Sequence, residues 1–67
     1  MEKITNLKRI RLDKNISQSK LAELSGVNVR LIQDYEQGRK QINNAMAISV
    51  YRLAETLDCT VGDLLEI

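Results

Sequence analysis

The chain has 67 residues, a net charge of +1, one cysteine and no histidine, so one small domain spanning 1–67 is expected, without disulfides or the ligand set of a zinc finger. It lacks Pro, Phe and Trp, which leaves an aliphatic core and, with helix formers dominant and no strand-like alternation, an all-α fold. No leader-like segment or apolar run of about 18 residues appears, and a lone Cys59 suits a reducing compartment, so a soluble cytoplasmic protein without membrane contact is expected.

The first helix is expected over about Ile4–Lys14, with Ile4, Leu7, Ile10 and Leu12 turned inward and Lys3, Lys8 and Arg9 facing solvent. Asn15 can take the left-handed conformation that ends a helix, and Ile16 seals the corner. Ser17 is a natural N-cap for the second helix, although Lys20 stands where a capping box would have Glu. That helix carries the apolar stripe Leu21, Ala22 and Leu24 and ends at Ser25-Gly26. Gly26 sits where a sharp turn between helices requires positive φ. Val27 plugs the corner and Asn28 caps a third helix, Val29–Gln37, whose stripe is Ile32 and Tyr35 and which stops at Gly38. Two short amphipathic helices around a glycine, with small Ala22 at their close approach, form the pattern of a helix-turn-helix, which places its second helix in a DNA groove.

Arg39-Lys40-Gln41 is a short basic loop anchored by Ile42. Asn43 or Asn44 is expected to cap a fourth helix, about Ala45–Leu57, ending at Asp58. Thr60 and Asp63 have capping-box spacing for a fifth short helix through Leu64 and Leu65. Charge divides along the chain. Residues 1–41 hold nine of the ten Lys/Arg and five of the nine acids, a net of +4, whereas residues 42–67 carry a net of −3. The basic half is the minimum electrostatic footprint for binding phosphates.

The run Asn6-Leu7-Lys8-Arg9-Ile10-Arg11, then Ser17-Gln18 and Leu21 to Val27, then Ile32 and Tyr35-Glu36-Gln37-Gly38, then Leu53-Ala54-Glu55-Thr56-Leu57 and Val61-Gly62-Asp63-Leu64-Leu65 resembles the repressor/Cro-type, or Xre-like, helix-turn-helix family of bacterial and phage regulators. The resemblance covers about residues 6–65. It implies a compact five-helix domain, usually dimeric on DNA. By that resemblance Gln18 is a phosphate-contacting position, and Arg11 and Glu36 form a structural ion pair between the first and third helices. Leu31 and Asp34 depart from the family pattern, which more often has a small residue and a basic or polar one there. The segment between Gly38 and Leu53 is also somewhat longer than the commonest form.

Base-edge readers must be polar, exposed and near the N-terminus of the recognition helix. Val29, Arg30 and Gln33 meet the position requirement, and Asp34 lies beside them. Arg30 suits guanine, Gln33 adenine, Val29 a thymine methyl and Asp34 a cytosine amino group. Arg30 and Asp34 are also four apart on one helix and are expected to pair with each other in the free protein. Phosphate contacts are expected from Ser17, Gln18, Lys20 and Asn28 on one side of that helix, and from Arg39, Lys40, Asn43 and Asn44 on the other.

From Ala45 to Ala54 the only charge is Arg52, so the fourth helix is either central to the core or partly covered by a second subunit. Met46, Ile48, Tyr51, Leu65 and Ile67 are the candidate dimer surface, in line with the family's frequent dimerisation through its C-terminal region. The leading function is a sequence-specific DNA-binding regulator, a repressor acting as a homodimer on a palindromic double-stranded operator. The alternative is a protein-interaction module or antitoxin that keeps the fold and binds a partner protein, favoured by Asp34 and the mild net charge. An enzyme is disfavoured: no nucleophile–base set is present, Cys59 reads as a small apolar residue, and no catalytic residue, cofactor or metal is expected.

Overall fold

The computed structural model describes residues 4–67. Lys3, expected to face solvent, lies outside the described residues. Five α-helices follow one another: α1 (Asn6–Asp13), α2 (Gln18–Ser25), α3 (Val29–Gln37), α4 (Ala47–Leu57) and α5 (Val61–Leu64), with a short 3-10 turn at Ile42–Asn44 before α4. No strand occurs among the described residues. α2 packs on α3 and α4, α5 closes on α4, and α1 bridges α3 and α5. The centre is aliphatic, with Leu7, Leu21, Ile32, Leu53, Leu57 and Leu64 fully buried.

Local chemistry sets most boundaries. The side-chain oxygens of Thr5, Ser17 and Asn28 each accept a backbone N–H at the start of α1, α2 and α3, satisfying donors that a helix cannot pair internally. Asn15 and Asp58 adopt φ of 60° and 55° at corners, as short polar side chains tolerate. At α5, Asp63 N–H donates to the Thr60 hydroxyl and Thr60 N–H to the Asp63 carboxylate. Hydrogen bonding from Thr60 to the carboxylate, its backbone N–H first, holds the Asp63 carboxyl below its ordinary value. This contribution is therefore present above the unfolded carboxyl pKa and is lost as pH falls through the lowered one.

Gly26 and Gly38 close α2 and α3 with φ of 76° and 79°. A Cβ built at Gly26 would meet nothing within 4 Å, so the constraint is the backbone and not space. Gly26→Val should cost at least the ~1–2 kcal/mol of a left-handed L-residue. A thermal melt should show a midpoint lower by roughly 4–8 °C per kcal/mol; an unchanged midpoint would show that this turn tolerates a side chain.

Several expected orientations are corrected. α1 begins at Asn6, not Ile4, because Thr5 caps it, with its hydroxyl accepting Lys8 N–H at 3.2 Å. Ile4 therefore precedes the helix and is 46% exposed. Leu12 is 49% exposed: it is rotated by about 140° from Leu7 at 100° per residue, and Arg11 takes the inward place. Leu24 is 56% exposed, because the buried column of α2 runs Leu21–Ser25, and Ser25 uses its hydroxyl to accept Val27 N–H at 3.1 Å.

Neither Asn43 nor Asn44 caps α4. Both lie in the 42–44 turn, and α4 starts at Ala47 after Met46, which makes no side-chain cap. α4 turns Val50, Leu53, Ala54 and Leu57 into the core and leaves Met46, Ile48 and Tyr51 exposed. Among the described residues no helix is long and apolar enough to cross a membrane. Cys59 is half-buried against the core, and burial pushes its thiol up, so it stays protonated at neutral pH and weakly nucleophilic.

Candidate nucleic-acid interface

The corner between α2 and α3 is set by Gly26, by Val27 buried beneath it, and by Asn28, whose side-chain oxygen accepts Arg30 N–H at 2.8 Å. That cap starts α3 so that Val29 and Gln33 are half-buried and Arg30 is exposed. Asn28, Val29, Arg30, Leu31, Asp34 and Lys40 line an open concavity on this side of the molecule. A basic side chain, an amide and a branched methyl group thus share the N-terminal half of α3, the part of a recognition helix that meets base edges.

Asp34 is placed differently from the expectation that it pairs with Arg30. It is buried, and its carboxylate lies 3.8 Å from the Arg39 guanidinium. The cause is the left-handed turn at Gly38, which folds the chain back over the end of α3. Arg39 N–H and Lys40 N–H then both donate to the Asp34 carbonyl, at 2.9 and 3.3 Å. Arg39 also donates to the Gln37 side chain. The basic loop is thereby tied to α3, and among the described residues no acid is held against Arg30.

α3 is anchored to the body by a buried pair. Arg11 Nε donates to Glu36 at 2.6 Å and Arg11 Nη2 at 3.0 Å, while Arg11 Nη1 donates to the Ile16 carbonyl at 2.8 Å. The two side chains are only 9% and 1% exposed. Forked pairing of this kind fixes orientation as well as charge. Here it locks the C-terminal half of α3, while Ile32 and Tyr35 bury its inner face.

The remaining candidates for phosphate contact are spread around α3. Ser17 caps α2, and Lys20 makes an exposed 3.2 Å pair with Glu23. Gln18 Nε2 donates to Glu36 at 3.0 Å. Lys40 and Asn44 are exposed. Asn43 is engaged with the C-terminal segment: Glu66 N–H donates to its Oδ1 at 2.8 Å, and its Nδ2 donates to the Glu66 carbonyl at 3.0 Å. The same segment reaches α1, where Asn6 N–H donates to the Glu66 carboxylate at 2.6 Å and Asn6 Nδ2 to the Leu65 carbonyl at 2.8 Å. Sequence reasoning missed this strap, because its partners are 23 and 60 residues apart and no local pattern marks them. Asn43→Ala should lower stability by ~1 kcal/mol through the lost bonds, as read from urea unfolding. Unchanged stability with weakened DNA binding would instead give the Asn43 amide to DNA.

Of the dimer candidates, Met46, Ile48, Tyr51 and Ile67 are exposed and Leu65 is partly buried against the core. Tyr51 Oη donates to the Glu55 carboxylate at 2.9 Å, a bond that raises the pKa of its hydroxyl.

A search of curated proteins found no match. A family model described as helix-turn-helix matches residues 7–64, from the first buried leucine of α1 to the last of α5. The match takes in both helices of the corner, the ion pair that anchors α3 and the helices that bury it. The family is one of DNA-binding regulators. On that match and on its five-helix architecture, the chain belongs to the repressor/Cro-type (Xre-like) helix-turn-helix family.

Proposed function

We propose that the protein is a sequence-specific transcriptional regulator, a repressor that binds a palindromic double-stranded DNA operator as a homodimer, with its 67 residues acting as one cytoplasmic DNA-binding domain. The observation that carries the reading is the start of α3: exposed Arg30 beside Val29 and Gln33, on a helix clamped by the Arg11–Glu36 pair and bordered by basic Arg39 and Lys40. Arg30 and Gln33 are the base readers, with Val29 against a thymine methyl. Asp34 reaches a cytosine amino group only if Arg39 releases it. Ser17, Gln18, Lys20 and Asn28 on one flank, and Arg39, Lys40, Asn43 and Asn44 on the other, serve the phosphates. The bonds between Asn43 and Glu66 must be shared or exchanged when DNA arrives.

The exposed Met46, Ile48 and Tyr51 of α4, with Leu65 and Ile67, supply an apolar surface for the second copy. The same surface, together with acidic Asp34 beside the readers, favours the second reading, a module or antitoxin that binds a partner protein.

Selection of bound fragments from a random DNA pool tests the choice. Enrichment of a palindrome, with sedimentation giving two protein copies per fragment, is the expected result. An unenriched pool would move the assignment to the protein-binding module.

A further inference from the structure

Glu36 receives more than an ion pair requires. Arg11 already gives its carboxylate two N–H donors, at 2.6 and 3.0 Å, and a third comes from Gln18 Nε2, at 3.0 Å to Oε1. The Glu36 side chain is 1% exposed, whereas Gln18 is half-buried at the first position of α2. The asymmetry falls on the glutamine. An ionised carboxylate only accepts hydrogen bonds, so the amide must turn its NH2 group towards Glu36. A flipped amide would set two acceptors against each other. One N–H and the carbonyl of Gln18 are left uncommitted to Glu36.

We propose that Glu36 is a positioning residue for DNA binding. Its carboxylate, held by Arg11, fixes the Gln18 amide in advance so that the second N–H donates to a DNA phosphate at the start of α2. The recognition helix and the backbone anchor on α2 are then oriented by one buried group. Ordering a long side chain before binding removes part of the cost of immobilising it in the complex. The inference rests on the DNA-binding reading above.

A double-mutant cycle on a DNA fragment recovered by selection tests it, using Gln18→Ala, Glu36→Gln and the pair, each first checked for a helical circular dichroism spectrum. In the native background Gln18→Ala should weaken binding about tenfold, as for a hydrogen bond to a charged group. In the Glu36→Gln background the same change should cost less than about twofold, because the amide is no longer aimed. Equal losses in both backgrounds would overturn the positioning role. No loss in the native background would overturn it too, by removing Gln18 from the phosphates, and would leave the DNA-binding function standing. Failure of the native protein to bind any fragment would overturn that function and this inference together.

Should Glu36→Gln fail to fold, nuclear magnetic resonance of the native protein decides. The free protein should show a rigid Gln18 side-chain NH2 whose signals shift on adding DNA. A mobile Gln18 amide in the free protein, or one indifferent to DNA, would overturn the proposal.

Discussion

Arg11→Ala should remove most of the stability of this fold. The substitution leaves the Glu36 carboxylate with the 3.0 Å bond from Gln18 and no cation, in a place where its side chain is 1% exposed. Breaking a buried pair by deleting one partner costs ~3–5 kcal/mol. A core of this size rarely supplies more than ~3–5 kcal/mol in total, so the loss is comparable with the whole. The Ile16 carbonyl also loses its Arg11 donor, loosening the corner before α2. Urea and thermal unfolding should show a protein largely unfolded at room temperature. Replacing both partners by apolar residues, Arg11→Met with Glu36→Leu, should recover much of the stability, because the main penalty is the stranded charge. Normal stability in Arg11→Ala with lost DNA affinity would instead make Arg11 a DNA contact.

The second large effect concerns sequence preference. Arg30→Ala and Gln33→Ala should each cost ~1–3 kcal/mol on the preferred operator and relax the choice at one base position in each half-site. Lys40→Ala should weaken binding evenly across sequences and lower the salt slope by about one. The contrast is chemical: base edges differ between sequences and phosphates do not. Arg39 is a harder test of the same idea, since in the free protein it is committed to Asp34 and Gln37. For a two-fold dimer the half-sites should lie about 34–36 Å apart. Titrations on operator and scrambled DNA at several salt concentrations check the set. Intact operator preference in Arg30→Ala and Gln33→Ala would show that α3 does not read the bases and would strengthen the protein-binding alternative.

The features legible along the chain are local in origin. Helix starts at Ser17, Asn28 and Thr60, helix stops at Asn15, Gly26, Gly38 and Asp58, and the inward set Leu7, Leu21, Ile32 and Tyr35 all follow from interactions within a few residues, or from a helical period of 3.6. The recurrence of these signals along the chain also carried the family resemblance, and with it the five-helix architecture. No such rule pairs Arg11 with Glu36, 25 residues away; among the sequence arguments only the resemblance joins them.

Which member of an apolar stripe faces inward, and where the polar side chains find partners, depends on how the helices pack. Leu12 and Leu24 belong to helical stripes, but each helix has room for one narrow buried column, and neighbouring helices gave that place to Arg11 and Ser25. Asp34 turned from Arg30 to Arg39 because the chain reverses at Gly38. Asn43 left its capping role for Glu66, and Gln18 turned its amide to Glu36. The physical reason is common to all of them. A hydrogen-bonding side chain takes whichever partner the packed backbone brings within about 3 Å, and for residues tens of positions apart that proximity exists only after the helices have assembled.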